Sequence, residues 1–90
     1  METRIVVTPH AIQRCEERGG DPRSIADAAE QSANRIVSAA ACRNRRVAMK
    51  SPDLPVIPVI EVSPRRNRIV LVVVTVLPQS ARVPHPVIVA

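Results

Sequence analysis

One histidine and two arginines at four-residue intervals, His10, Arg14 and Arg18, are the residues whose spacing most directly suggests chemistry. On a helix, positions i, i+4 and i+8 share one face, so an imidazole and two guanidiniums would stand in a row. Arginine stabilises the charge that builds on a transferring phosphoryl group, and histidine moves a proton near neutral pH. Such a row suits an RNA phosphate. The competing reading is an ordinary solvated helix face, on which Glu17, three residues after Arg14, offsets its charge.

Other chemistries find little support. Ser24, Ser32 and Ser38 are scattered along one segment without a histidine or acid partner, which speaks against nucleophilic catalysis. Glu16 and Glu17 are adjacent and point to different faces. Gly19 and Gly20 are the chain's two glycines, so there is no glycine-rich phosphate loop and no nucleotide cofactor is expected. His10, His85, Cys15 and Cys42 show no metal-ligand spacing, so no metal is expected, and the two cysteines read as thiols in a reducing cytosol.

A second constellation is purely basic: Arg43, Arg45, Arg46 and Lys50 in one stretch, and Arg65, Arg66 and Arg68 in another. The net charge is +5, and it is unevenly spread. Residues 1–42 hold five Arg against six acids, whereas residues 43–90 hold eight basic residues against Asp53 and Glu61. This asymmetry predicts a polyanion or an acidic protein as partner. If the two basic stretches are neighbours, they form one phosphate-binding patch. The alternative is exposed charge that solubilises the chain and keeps sheet edges from pairing.

The elements that position these residues can be read from periodicity and punctuation. Residues 4–7 suit a short strand. Thr8-Pro9 is a helix start, an N-cap followed by proline at the first helical position. The helix should run to about Arg18, where Gly19-Gly20 permits a left-handed C-cap. Asp21-Pro22 repeats the start signal, and a second helix is expected to roughly Ala41, with Ile25, Ala28, Ala29, Ser32, Ile36, Val37 and Ala40 on its inner face. Residues 45–50, 56–62 and 68–77 suit strands of a β-meander. Pro55 and Pro58 place the middle one at an edge or make it bulged. Residues 68–77 form the clearest strand, with Ile69, Leu71, Val73, Thr75 and Leu77 on one face and Val70, Val72, Val74 and Val76 on the other. Both faces are apolar, which predicts a second covering layer or a homodimer.

The whole therefore reads as one α+β domain over residues 1–80: two N-terminal helices packed on a small antiparallel meander. An apolar tail, residues 81–90, is broken by Pro84 and Pro86 and suits an added edge strand or contact with a second subunit. Ninety residues without a single Phe, Tyr or Trp give a thin core of Val, Ile, Leu, Ala and Met. The same absence argues against an RNA-binding sheet that stacks bases on aromatic rings. No signal peptide is evident, and the longest apolar run, residues 69–77, is far too short for a bilayer, so a cytoplasmic protein without membrane contact is expected.

The stretch Val7-Thr-Pro-His10-Ala-x-x-Arg14-x-x-Glu17-Arg18-Gly19, together with Val73-Val74-Thr75-Val76, resembles a family of small bacterial and phage proteins grouped with the RelE-like ribonuclease toxins. The resemblance covers roughly residues 5–78. It implies two helices on a small antiparallel sheet and a surface that binds or cleaves RNA, with His10, Arg14, Arg18 and Thr75 at the matching positions. The chain departs from the family where an aromatic commonly follows the last-strand threonine, having Leu77 there, and has Gly20 where an apolar residue is expected. Three functional expectations follow: a basic binding protein for RNA or an acidic partner surface, without catalysis; a RelE-like ribonuclease using His10 as acid/base; or a phage-encoded inhibitor or adaptor.

Overall fold

A computed structural model of the chain describes residues 2–40 and 45–90. It is an α+β fold of three helices on a five-stranded mixed sheet. In chain order the elements are β1 (Glu2–Val7), α1 (Pro9–Glu17), α2 (Pro22–Gln31), α3 (Ala33–Ala40), β2 (Arg46–Lys50), β3 (Val56–Pro64), β4 (Arg68–Pro78) and β5 (Val87–Val89). The strand order across the sheet is β1-β4-β3-β2-β5.

The antiparallel meander expected from the sequence is present as β2-β3-β4, but it is only the centre of the sheet. β1 pairs parallel with β4, from Glu2 opposite Arg68 to Val7 opposite Val73. β5 pairs parallel with β2, from Ala48 opposite Val87 to Lys50 opposite Val89. Both outer strands thus join partners far away in sequence, and the sheet is mixed.

The second helix also differs from expectation. It divides at Ser32, which has φ −104° and ψ 11° and is buried. Helical bonding continues through the bend, since the Ser32 amide reaches the Ala28 carbonyl and the Ile36 amide reaches that of Ser32, each at 3.0 Å. Serine and asparagine support helix interiors weakly, and Ser32 and Asn34 flank the joint. The bend lets one helical segment serve two parts of the sheet: α2 packs on β1, and α3 packs on β2, β3 and β5.

β3 is an interior strand, not an edge one, and Pro58 is fully buried. Its pairing with β2 spans only Val59 to Glu61, so Pro55 and Pro58 lie beyond that ladder and do not interrupt it. Towards β4 the register slips by one residue: Val59 faces Thr75, Ile60 faces Val73, and Val74 has no partner. An extra residue of this kind resets which side chains share a face. Leu71, Val73 and Val76 therefore enter the core together, and the strict alternation expected for residues 68–77 breaks at Val74.

The core lies between the helices and one face of the sheet, and its fully buried members include Ile25, Ile36, Val47, Met49, Ile60 and Leu71. On the opposite face Ala48, Ile57 and Val59 are also buried, outside that cluster. Just beyond β4 the Gln79 side-chain amide donates to the Leu54 carbonyl at 2.7 Å. Nearer β1 the same face is open, with Val6 41 % exposed and Val70, Val72 and Val74 half-buried. Among the described residues no helix is long and apolar enough to cross a membrane.

Candidate functional site

The first constellation is positioned by Thr8. Its backbone is extended (φ −67°, ψ 155°), and its hydroxyl accepts the Ala11 amide at 3.1 Å, capping α1. The same hydroxyl donates to the Val73 carbonyl at 3.0 Å, and the Thr8 amide bonds that carbonyl at 3.2 Å. Because β1 ends at the level of Val73, the edge of β4 beyond it is open, and the first turn of α1 lies against it. His10 is thereby brought to Thr75, with Nε2 3.4 Å from the threonine Oγ1. Both side chains are accessible to solvent.

Arg14 and Arg18 follow His10 along the helix, and of the two only Arg14 has a carboxylate partner among the described residues. Arg14 Nη1 lies 3.1 Å from a Glu17 carboxylate oxygen, with both side chains about half exposed, at 47 % and 45 %. Arg18 folds back so that Nη1 donates to the Arg14 carbonyl at 3.4 Å. An exposed pair at i, i+3 contributes little to stability, and it lowers the net field that the row presents. His10 and Thr75 are therefore the two members of the predicted set that the fold joins directly.

The second constellation separates into parts. Arg65, Arg66 and Arg68 stand together on the β3–β4 turn, which is closed by the Arg65 amide donating to the Arg68 carbonyl at 2.8 Å. With them is Arg4, which the sequence reading placed on a strand without a role. Parallel pairing sets Arg4 opposite Val70, two residue pairs along from Glu2 opposite Arg68. Positions two apart share a strand face, so Arg4 and Arg68 lie on the same side of the sheet. These four arginines line one concavity of about 580 Å³ together with Val6 and Val70. Glu2 is its one acidic neighbour. Only a knowledge of the β1–β4 register could have placed Arg4 here, and no local motif announces that register.

The remaining basic residues are distributed otherwise. Arg45 lines a separate concavity with Val37 and Ala40 of α3, at the same end of the sheet but on its helix-covered face. Arg46 Nε lies 3.4 Å from Glu61 Oε1, directly across the β2–β3 ladder. Lys50 sits at the opposite end of β2, beside Val89. Arg43, like Cys42, lies outside the described residues. The single patch envisaged for both basic stretches is therefore seen only in part: the turn and Arg45 share one end of the sheet, and Lys50 does not.

The His10–Thr75 pair and the arginine turn also stand apart. Arg68 and Thr75 are seven positions apart on β4, which at about 3.3 Å per residue amounts to roughly 20 Å. A polyanion touching both would have to span the length of the sheet.

Cys15 is fully buried on the inner face of α1. Burial is the main cause raising its thiol pKa above the ordinary value, with Asp21 and Glu16 adding to the effect. Among the described residues no three His, Cys, Asp or Glu side chains gather as a metal site. Comparison with family models, with curated proteins and with solved structures finds no match for the chain.

Proposed function

We propose that this is a small basic binding protein that engages the phosphate backbone of a nucleic acid, RNA above all, through the arginine end of its sheet and without catalysis. One observation carries the reading. Arg4, Arg65, Arg66 and Arg68 surround one concavity, and among the described residues none has a carboxylate within 4.0 Å, whereas Arg14 and Arg46 do. Four exposed guanidiniums clustered without a carboxylate partner leave their donors in solvent and free to meet an anion. Arginine meets phosphate with two parallel donors. The uneven charge of the chain supports the same reading.

A second reading rests on the other end of the sheet. The resemblance to RelE-like toxins favours a ribonuclease with His10 as acid/base, and the approach of His10 Nε2 to Thr75 Oγ1 at 3.4 Å supports it. The distance between this pair and the unpaired arginines favours binding over cleavage.

The test is one gel. Labelled RNA is incubated with wild type, His10→Ala, and the triple charge reversal Arg65→Glu, Arg66→Glu, Arg68→Glu. Retarded but intact RNA, lost only with the triple reversal, supports the binding reading. RNA cut by wild type and spared by His10→Ala replaces it with the ribonuclease. No retardation, together with capture of polyglutamate, points instead to an acidic protein partner.

A further inference from the structure

We infer that the arginine end of the sheet takes double-stranded nucleic acid in preference to single strands. The inference rests on the binding reading above and narrows it to a substrate class.

The chain contains no Phe, Tyr or Trp. Single-strand-binding proteins derive roughly 1–3 kcal/mol per base from stacking on aromatic faces, and that source is absent here. What remains is contact with phosphates, and its value depends on how well the two charge arrays match without either having to be ordered first.

The protein's array is built on hydrogen-bonded strands. Arg4 and Arg68 are diagonal neighbours on one face of the parallel β1–β4 pair, a separation of roughly 7–8 Å. Arg65 and Arg66 continue the array onto the closed turn. From β1 to the β3–β4 turn there are at most two strand intervals, which places the arginines across about 10 Å. A duplex presents a similarly fixed phosphate array at high charge density, about one charge per 1.7 Å of helix axis. A single strand must be ordered to meet these arginines and receives no stacking in exchange. Duplex DNA and duplex RNA offer the same phosphate chemistry, so the preference concerns strandedness.

The experiment is fluorescence anisotropy of the full chain with labelled oligonucleotides of equal length: duplex DNA, duplex RNA and a single strand of each. Polyglutamate serves as a competitor. Both duplexes are expected to bind about tenfold or more tightly than their single strands. The logarithm of the duplex DNA affinity should fall with the logarithm of salt at a slope near −3.6, the value for about four neutralised phosphates, and Arg4→Gln should make it shallower by about 1. The ratio of the two duplex affinities identifies the preferred source. Single strands bound as tightly as duplexes, with binding still lost in the triple arginine reversal, would overturn the duplex preference and leave the binding reading standing. Failure of all four oligonucleotides to bind, binding indifferent to the triple reversal, or displacement of duplex by polyglutamate at equal charge would overturn both. Circular dichroism of each variant establishes that the change reads the surface and not the fold.

Discussion

The Thr8 hydroxyl donates to the Val73 carbonyl at 3.0 Å, across 65 positions of sequence, while accepting the Ala11 amide. One oxygen thus caps a helix and ties that helix to β4, the partner of β1 in the parallel pair. Thr8→Ala should lower stability by about 1–2 kcal/mol, through loss of the cap and of the tie. Thr8→Ser keeps the hydroxyl and should retain most of it. Urea denaturation of the two variants measures the difference. Equal losses would show that the threonine methyl matters and the hydroxyl does not.

Charge reversal on the β3–β4 turn should separate function from stability. Arg65, Arg66 and Arg68 are exposed and lack ion pairs among the described residues. Exposed substitutions away from special features usually change stability by less than about 0.5 kcal/mol. The triple reversal should therefore melt close to wild type while abolishing nucleic-acid binding. A melting temperature well below wild type would mean that these side chains help hold the turn.

Gly20 and Cys15 should prove energetically coupled. A Cβ at Gly20 would stand 2.7 Å from the Cys15 Sγ, with the Cys15 carbonyl at 3.4 Å, so one of them must move. Gly20→Ala is expected to cost about 1–3 kcal/mol. In a Cys15→Ala background the sulfur is gone, and the added cost should shrink by at least about 0.5 kcal/mol. A double-mutant cycle gives the number, and strict additivity would refute the contact.

The buried thiol predicts a dependence on alkaline pH. The folded pKa of Cys15 is raised, chiefly by burial, so the folded state holds its proton more tightly than the unfolded state does. The resulting stability is complete below the unfolded thiol's pKa and is lost as pH rises through the folded value. Denaturation midpoints of a Cys42→Ser variant should thus fall on the alkaline side of the thiol range, and a further Cys15→Ala change should flatten that fall. In the same variant native Cys15 should resist a thiol reagent until urea opens the core. Rapid labelling without denaturant would contradict the burial.

Local grammar made much of this fold legible in the sequence. Thr8-Pro9 and Asp21-Pro22 do start helices, Gly19 does take a left-handed conformation at φ 77°, and residues 68–77 do fall within a long strand. The remainder depends on partners distant in sequence. Nothing near Ser32 records that the helical segment must wrap from β1 to β5. Pro58 reads as marking an edge strand or a bulged one, and the structure has an interior strand with a register shift just beyond it, between Val59 and Ile60. Val74 occupies its own place in the alternation, and only the opposing β3 reveals the slip. For the site, Arg65, Arg66 and Arg68 were visible because they are consecutive on a turn. Arg4 was not, because its neighbours come from a strand more than sixty residues later.

The parallel seating of β1 beside β4 also bears on how the molecule is born. Contacts between chain segments far apart are slow to form, because a long loop must close before they reward it. During synthesis the first strand waits without its partner until roughly sixty further residues have emerged. The arginine cradle is thus a late product of folding, and no nascent fragment that stops short of β4 displays it. On the binding reading proposed above, a surface that stays unassembled until the last long strand is made would not capture surrounding RNA prematurely.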